Sequence, residues 1–402
     1  MRNYRLIAAP DSIASSKLRL YLRWKNIPFR ETVATRQVIK SEITPRIKGV
    51  DVPLLVTPSN ETYQDTRSII DFLETRERGE ALVPERAELT FASRLLEAYA
   101  DEWLSSAVSQ LIWTSADTSA ASRMARTLYP ELGGEQSERI ARTLGTRVRA
   151  KLARRGFSKE AREDTERQLA IFLSGLERHL ERSIFLLGDR PCIADFAIAA
   201  ALTALRDSTP DHARKIFDSP RVYSWLSAVN GPGSPEHGGY RRAYGLPDTM
   251  IDLLRIAAAH FIPRGLETCD AVADWADSNP GRINLPKVVG QSRADGTETS
   301  SELGPQSQFL LQRLLVPLQG EPDGPEQDAL SATLEKIGCA DLMDFTPRRT
   351  VRHEHFRMRV DLRINPDSTD APDLALHAIA EPLLQMRRES AETRDLERLV
   401  VG

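Results

Sequence analysis

Three short stretches place side chains where they could act on a ligand. Ser12 precedes one helical pattern, Asp65-Thr66 opens another, and Val52-Pro53 begins a buried-strand run. The first N–H groups of a helix lack partners inside it, and they lie at the positive end of its dipole. An anion is therefore favoured there, and the Ser12 or Thr66 hydroxyl adds a donor that favours the charged form. The structural use of the same residues is capping: Ser12, Ser15 and Asp65 are all good N-caps. His353-Glu354-His355 lacks the i, i+4 spacing of helical metal ligands and reads as the start of a strand. Trp103 and Trp113 fall on a long helical pattern, where packing in the core competes with lining a pocket. No metal site is expected.

The elements that must hold these residues follow from periodicity. Tyr4–Ala9 is a short strand stopped by Pro10-Asp11, and Ser12–Lys25 a helix with Leu18, Tyr21, Leu22 and Ala14 on its apolar face. Phe29–Ala34 is a second strand. Val52–Thr57 is a buried strand whose hairpin partner is Glu61–Tyr63, and Asp65–Arg76 is a helix with Ile69, Ile70 and Leu73 inward. A β-α-β unit requires a parallel pair with a right-handed crossover, and the hairpin adds antiparallel strands. From Leu89 the period becomes helical. The spans 91–112, 135–154, 160–187, 193–205 and 222–229 are expected as helices with no strand among them. Asn230–Gly239 is a Gly/Pro-rich linker, Pro247–Ala276 carries two more helical patterns, and 290–306 and 319–327 read as polar loops. Phe356–Ile364 alternates apolar residues with Arg357, Arg359, Asp361 and Arg363, a strand with one wet face.

The chain of 402 residues is long enough for two or three domains, and 41 % hydrophobic residues supply a sizeable core. A net charge of −3 gives no global field toward nucleic acid or an acidic membrane. The longest mainly apolar stretch, Phe196–Leu205, is far short of a membrane span. The beginning of the sequence lacks a signal-peptide pattern. Three scattered cysteines, Cys192, Cys269 and Cys339, argue against a disulfide framework and suit a reducing, cytoplasmic location.

Residues 4–245 resemble the cytosolic glutathione transferases, especially the classes that use serine. The resemblance lies in Ser12-Ile13-Ala14-Ser15-Ser16-Lys17, similar to the serine-x-x-serine-x-Lys/Arg start of the first helix. It continues in Lys25-Asn26-Ile27-Pro28-Phe29, in Val52-Pro53-Leu54-Leu55 placed like the family's cis-proline strand, and in Gln64-Asp65-Thr66-Arg67-Ser68-Ile69-Ile70. Leu187-Gly188-Asp189-Arg190-Pro191-Cys192-Ile193-Ala194-Asp195-Phe196 looks like the start of the buried helix, with Cys192 where Ser or Thr is usual. Order and spacing together make the match specific. Ile13 and Ala14 depart from it, since Pro and an aromatic residue are common there, and Asp65-Thr66 replaces the commoner Glu-Ser.

The resemblance implies a thioredoxin-like α/β domain over 1–80 that binds glutathione, an all-α domain over 88–245, and an extension over 246–402, mainly helical with at least one strand, whose role it does not supply. Only a thiolate is a strong nucleophile, and a free thiol has a pKa near ~8.5. The resemblance therefore makes Ser12 the catalytic residue that favours the thiolate of glutathione. It also implies a cis Val52–Pro53 bond, with the Val52 backbone paired to the cysteinyl part of glutathione, and Asp65 and Thr66 at the γ-glutamyl end. Lys40 or Lys48 would meet the glycyl carboxylate, if either is more than a solvated surface charge, and Trp103 would border the second-substrate pocket. The expected function is transfer of glutathione to small electrophiles, as in detoxification, by a homodimer that binds neither nucleic acid nor membrane. The alternative is a non-catalytic binding or regulatory protein of the same fold whose extension contacts a partner. A thiol–disulfide reductase would need a cysteine near Ser12, and none is near in sequence.

Overall fold

The computed structural model describes residues 3–77, 79–114, 118–231, 238–292, 301–319 and 324–372. Its first unit is a four-stranded sheet in the order β2-β1-β3-β4. Strand β1 (Tyr4–Ala8) lies parallel to β2 (Phe29–Val33), with α1 (Ile13–Trp24) as the crossover between them. Strands β3 (Leu54–Val56) and β4 (Thr62–Gln64) run antiparallel, Leu6 opposing Leu55 and Leu55 opposing Tyr63. This is the expected thioredoxin-like topology. Leu18, Tyr21 and Leu22 of α1 and Ile69, Ile70 and Leu73 of α4 (Thr66–Arg76) are buried in one cluster on one face of the sheet. Ala14, expected on the apolar face of α1, is exposed. The other face is covered by α2 (Arg36–Val38), a π-helical turn (Ile39–Ile43) and α3 (Thr44–Ile47), which bury Ile43 and Ile47 against Ile7, Leu54 and Val56. The amphipathic pattern of these short helical turns was not read from the sequence.

The second unit is built from helices, with isolated β-bridges at Phe185–Gly188 and Gly188–Tyr240 among its described residues. Helix α5 (Ala87–Tyr99) continues through a π-helical turn (Ala100–Leu104) into α6 (Ser105–Trp113). Then come α7 (Ser119–Leu128), α8 (Gly134–Arg154), α9 (Arg162–Leu180), α10 (Ile193–Arg206), α11 (Pro210–Phe217) and α12 (Pro220–Asn230). Helices α7 and α11 were not anticipated. Helix α10 is apolar all round and sits at the centre, where Tyr21 and Trp24 of α1 meet Phe196 edge-on. Asp195 fixes its start. The buried carboxylate accepts hydrogen bonds from the Cys192 N–H (2.8 Å), the Leu186 N–H (3.1 Å) and the Trp225 indole (2.8 Å). Most of the expected linker, 232–237, lies outside the described residues.

The extension differs from expectation in three places. The two helical patterns of 247–276 are one helix, α13 (Asp248–Ser278), with Pro263 inside it. The polar stretch 290–306 contains a short antiparallel ribbon, β5 (Gly290–Ser292) with β6 (Ser301–Leu303), before α14 (Pro305–Leu315). The third difference is the alternating strand. It is the second arm of a hairpin, β7 (Val351–Glu354) with β8 (Arg357–Val360), and it ends at Val360. Its ladder partner is the segment just before it, and its other edge bonds to the backbone of Ile283 and Leu285. Alternation alone could not locate the turn, because His355 and Phe356 adopt left-handed φ values of 49° and 63°. Helix α15 (Pro325–Lys336) follows α14 and packs on α5. Helix α13 lies against α5, α9 and α14. Gly265 allows the last of these approaches: a Cβ there would sit 3.2 Å from the Leu311 side chain. Leu18, Phe91, Phe196, Phe261, Leu311 and Leu330 thus belong to one continuous apolar core that spans all three regions.

Candidate functional site

Ser12 is the N-cap of α1, its Oγ accepting the Ser15 N–H at 3.2 Å. Ser15, the rival cap, is fully buried, and its hydroxyl instead accepts the Ala9 N–H at 3.4 Å. Asp65 caps α4 through the N–H groups of Arg67 (3.1 Å) and Ser68 (3.3 Å), with an unusual φ of 72°. Thr66 is buried beside it, and the Val52–Pro53 bond is cis. Because α1 and α4 pack on the same face of the sheet, the two helix N-termini belong to one side of the domain.

Beneath them runs a chain of buried charge that sequence reading did not find. The Arg67 guanidinium grips Asp65 through Nε (3.1 Å) and Nη2 (2.5 Å). Its Nη1 lies 3.4 Å from Asp101 without hydrogen-bond alignment. Lys17, only 1 % exposed, bridges Asp101 (2.8 Å) and Glu97 (2.6 Å). Burial pulls the Lys17 ammonium toward neutrality, but the two carboxylates more than restore its charge. Burial likewise pushes the Asp65 carboxyl up, yet the Arg67 guanidinium beside it holds it well below the usual carboxylate range. Asp65 is therefore a fixed negative charge at the start of α4. The pattern serine-x-x-serine-x-lysine pointed at Lys17, but Glu97 and Asp101 stand eighty or more residues away and carry no local signal.

Lys40 and Lys48 are exposed, the first in the π-helical turn and the second at the left-handed end of α3. Trp103 is stacked on Tyr99 (centroids 5.4 Å apart) and touches the His260 ring of α13 (4.3 Å). Trp113 packs with Ala121, Ala125 and Ala141 between α6, α7 and α8. His353 is on β7, within electrostatic reach of Asp65 and Arg67; burial holds its ring below the ordinary histidine value, Asp65 opposing and Arg67 reinforcing. Among the described residues no group of three or more His, Cys, Asp or Glu could hold a metal ion, and no helix is long and apolar enough to cross a membrane.

Residues 6–81 match the family model described as glutathione S-transferase, N-terminal domain. The N-terminal unit is a glutathione S-transferase N-terminal domain. Among solved structures the chain is similar to a glutathione S-transferase of Rhodospirillum rubrum F11, at 18 % identity and TM-score 0.40, covering 58 % of this chain and 89 % of that one. It is also similar to the β-etherase LigF of Sphingobium sp. strain SYK-6 (18 %, TM-score 0.45, 58 % and 96 %). A third likeness is to a glutathione S-transferase-like protein of Pseudomonas syringae (24 %, TM-score 0.39, 61 % and 76 %). No curated protein matches. Within the glutathione S-transferase domain, Ser12, Val52, Pro53, Asp65 and Thr66 all fall inside the matched range.

Proposed function

We propose that this chain binds glutathione on its N-terminal domain and activates the thiol for attack on small electrophiles. The observation that carries this reading is the pair of helix N-termini, capped by Ser12 and Asp65, on one side of a domain that matches the glutathione S-transferase family. A sulfur near Ser12 meets the positive end of α1 and the hydroxyl proton, both of which favour thiolate over thiol. The γ-glutamyl ammonium is drawn to the fixed charge of Asp65, and its carboxylate to the Thr66 N–H and hydroxyl. The backbone of Val52, ahead of Pro53, pairs with the cysteinyl unit in strand fashion. Lys40 is assigned to the glycyl carboxylate and Trp103 to the edge of the second-substrate pocket. The thiol proton leaves to solvent; the sulfur forms the new bond as the leaving group departs from the electrophile or, with an epoxide, as the ring C–O bond opens and its oxygen takes a proton from solvent. A cytoplasmic homodimer acting in detoxification completes the proposal.

Calorimetric titration with glutathione, followed by turnover with a panel of aryl halides, epoxides and β-aryl ethers, tests it. Saturable binding with turnover of at least one electrophile is expected. Binding without turnover would favour the non-catalytic reading. No binding, with the hairpin contact described below removed, would sink both.

A further inference from the structure

The β7–β8 hairpin is fastened at its base. Val351 and Val360 oppose each other in register and are buried against Val272 and Ala276 of α13. Gln312 of α14 takes both backbone groups of Val351, accepting its N–H at 2.8 Å and donating to its carbonyl at 2.9 Å. On the other edge the Met358 carbonyl accepts the Leu285 N–H (3.0 Å), and the Val360 N–H donates to Ile283 (2.9 Å). Both edges are thus paired, and the hairpin is a built part of the protein.

From that base it reaches the N-terminal domain. His353 opposes Met358 on the same face as Val351 and Val360, since alternate residues share a face. The tip is the two-residue turn His355-Phe356, whose two positive φ values mark the mirror-image turn that suits tight hairpins. Phe356 does not point to solvent. It packs on the cluster of Ile7, Ala34, Ile43, Ile47, Leu54 and Val56, against which Val52 also packs. His353, on the same hairpin, is within electrostatic reach of Asp65 and Arg67. The hairpin tip therefore shares its seat with Val52, assigned above to the cysteinyl part of glutathione, and His353 lies within electrostatic reach of Asp65, assigned to the γ-glutamyl part. The extension is also pinned to α4 of the N-terminal domain by Arg313 on Asp71 (3.0 Å).

We propose that the β7–β8 hairpin is an intramolecular cover seated on the tripeptide site, so that glutathione and the hairpin tip compete for it. The seat itself follows from the packing of Phe356 on the N-terminal cluster; the identity of the competitor rests on the function proposed above. A half-buried apolar ring on a buried cluster is a contact that a polar tripeptide can displace only at a cost, and apparent affinity falls by the fraction of molecules in which the cover is open.

The test uses the full chain. Phe356→Gly removes the ring while suiting the left-handed turn, and His353→Gln replaces the imidazole within electrostatic reach of Asp65 and Arg67. Calorimetric titration with glutathione is expected to give a dissociation constant lower by ~10-fold or more for Phe356→Gly, with a smaller gain for His353→Gln. Unchanged or weaker binding by folded Phe356→Gly would overturn the cover. The second measurement is amide hydrogen exchange of residues 50–68 without any ligand. Faster exchange there in Phe356→Gly supports the seat whether or not glutathione binds, and exchange equal to the parent protein overturns it. If neither variant nor parent binds glutathione while exchange rises, the seat stands and the glutathione assignment falls. If Phe356→Gly does not fold, exchange in His353→Gln decides alone, by the same criterion.

Discussion

Ser12 illustrates how one hydroxyl serves two ends. Its oxygen caps α1 by accepting the Ser15 N–H, which leaves its proton available to an anion arriving at the same helix end. Ser12→Ala should therefore cost about 1 kcal/mol of stability from the lost cap. Turnover should fall by at least ~10-fold with little change in the Michaelis constant, because the hydroxyl acts on the thiolate more than on binding. Steady-state kinetics beside a melting curve separate the two effects; a large rise in Michaelis constant with unchanged turnover would remove Ser12 from the chemistry. Asp65 makes a different prediction. Its carboxyl is depressed in the folded protein, so its contribution to stability is complete above the ordinary carboxylate value and is lost as pH falls below it. Asp65→Asn should weaken glutathione binding and flatten the fall in melting temperature between pH ~4 and pH ~2 relative to the parent protein. Parallel melting profiles for parent and variant over that range would show that the Arg67 pairing contributes nothing to folding.

At the scale of elements, the charge chain from Asp65 through Arg67 and Asp101 to Lys17 and Glu97 joins α4 and α1 to α5 and the π-helical turn after it. A buried ion pair is weak evidence for net stabilisation, but removing one partner is expensive because the other charge stays buried. Lys17→Met should destabilise the protein by about 3–5 kcal/mol, read from denaturant unfolding, since Glu97 then loses its ion-pair partner and Asp101 keeps only the unaligned Arg67 Nη1. A loss below ~1 kcal/mol would mean that water or Arg67 takes over the site. The elements themselves were largely legible. Strand β1 and helix α1 follow from a short apolar run and a clear 3.6-residue period, and α4 from Ile69, Ile70 and Leu73. The turns of Arg36–Ile47 were missed because their apolar residues are too few to establish a period. A proline ordinarily interrupts a helix, but α13 runs unbroken through Pro263 while packed against α5, α9 and α14.

For the molecule as a whole, the extension is an integral layer. Ile251, Leu254, Phe261 and Leu266 of α13 join the same core as Phe91 and Phe172, and Thr333 of α15 donates to the buried Glu88 carboxylate at 2.9 Å. A chain ending at Gly245 would expose this surface, and each large apolar side chain returned to water costs roughly 1.5–3 kcal/mol. The 1–245 fragment should be poorly soluble or melt well below the full chain. A monodisperse fragment with an unchanged melting temperature would show that the extension is only tethered. The same layer brings the β7–β8 hairpin onto the N-terminal domain, some three hundred residues distant in sequence from Val52.

What the sequence determined by itself is local. Period and turn chemistry specify the β-α-β unit, the hairpin, the helical remainder and the helix starts at Ser12 and Asp65, because each depends on residues within a few positions of one another. The tertiary structure decided what depends on distant partners. It selected Ser12 over Ser15 as the cap, surrounded Lys17 with Glu97 and Asp101, and placed Trp103 between Tyr99 and His260. It also turned an apparently single strand, Phe356–Ile364, into one arm of a hairpin whose tip lies on the N-terminal sheet. Alternation of apolar and polar residues states that a strand has a buried face; only the folded chain, by bringing remote surfaces within van der Waals contact, states what it is buried against.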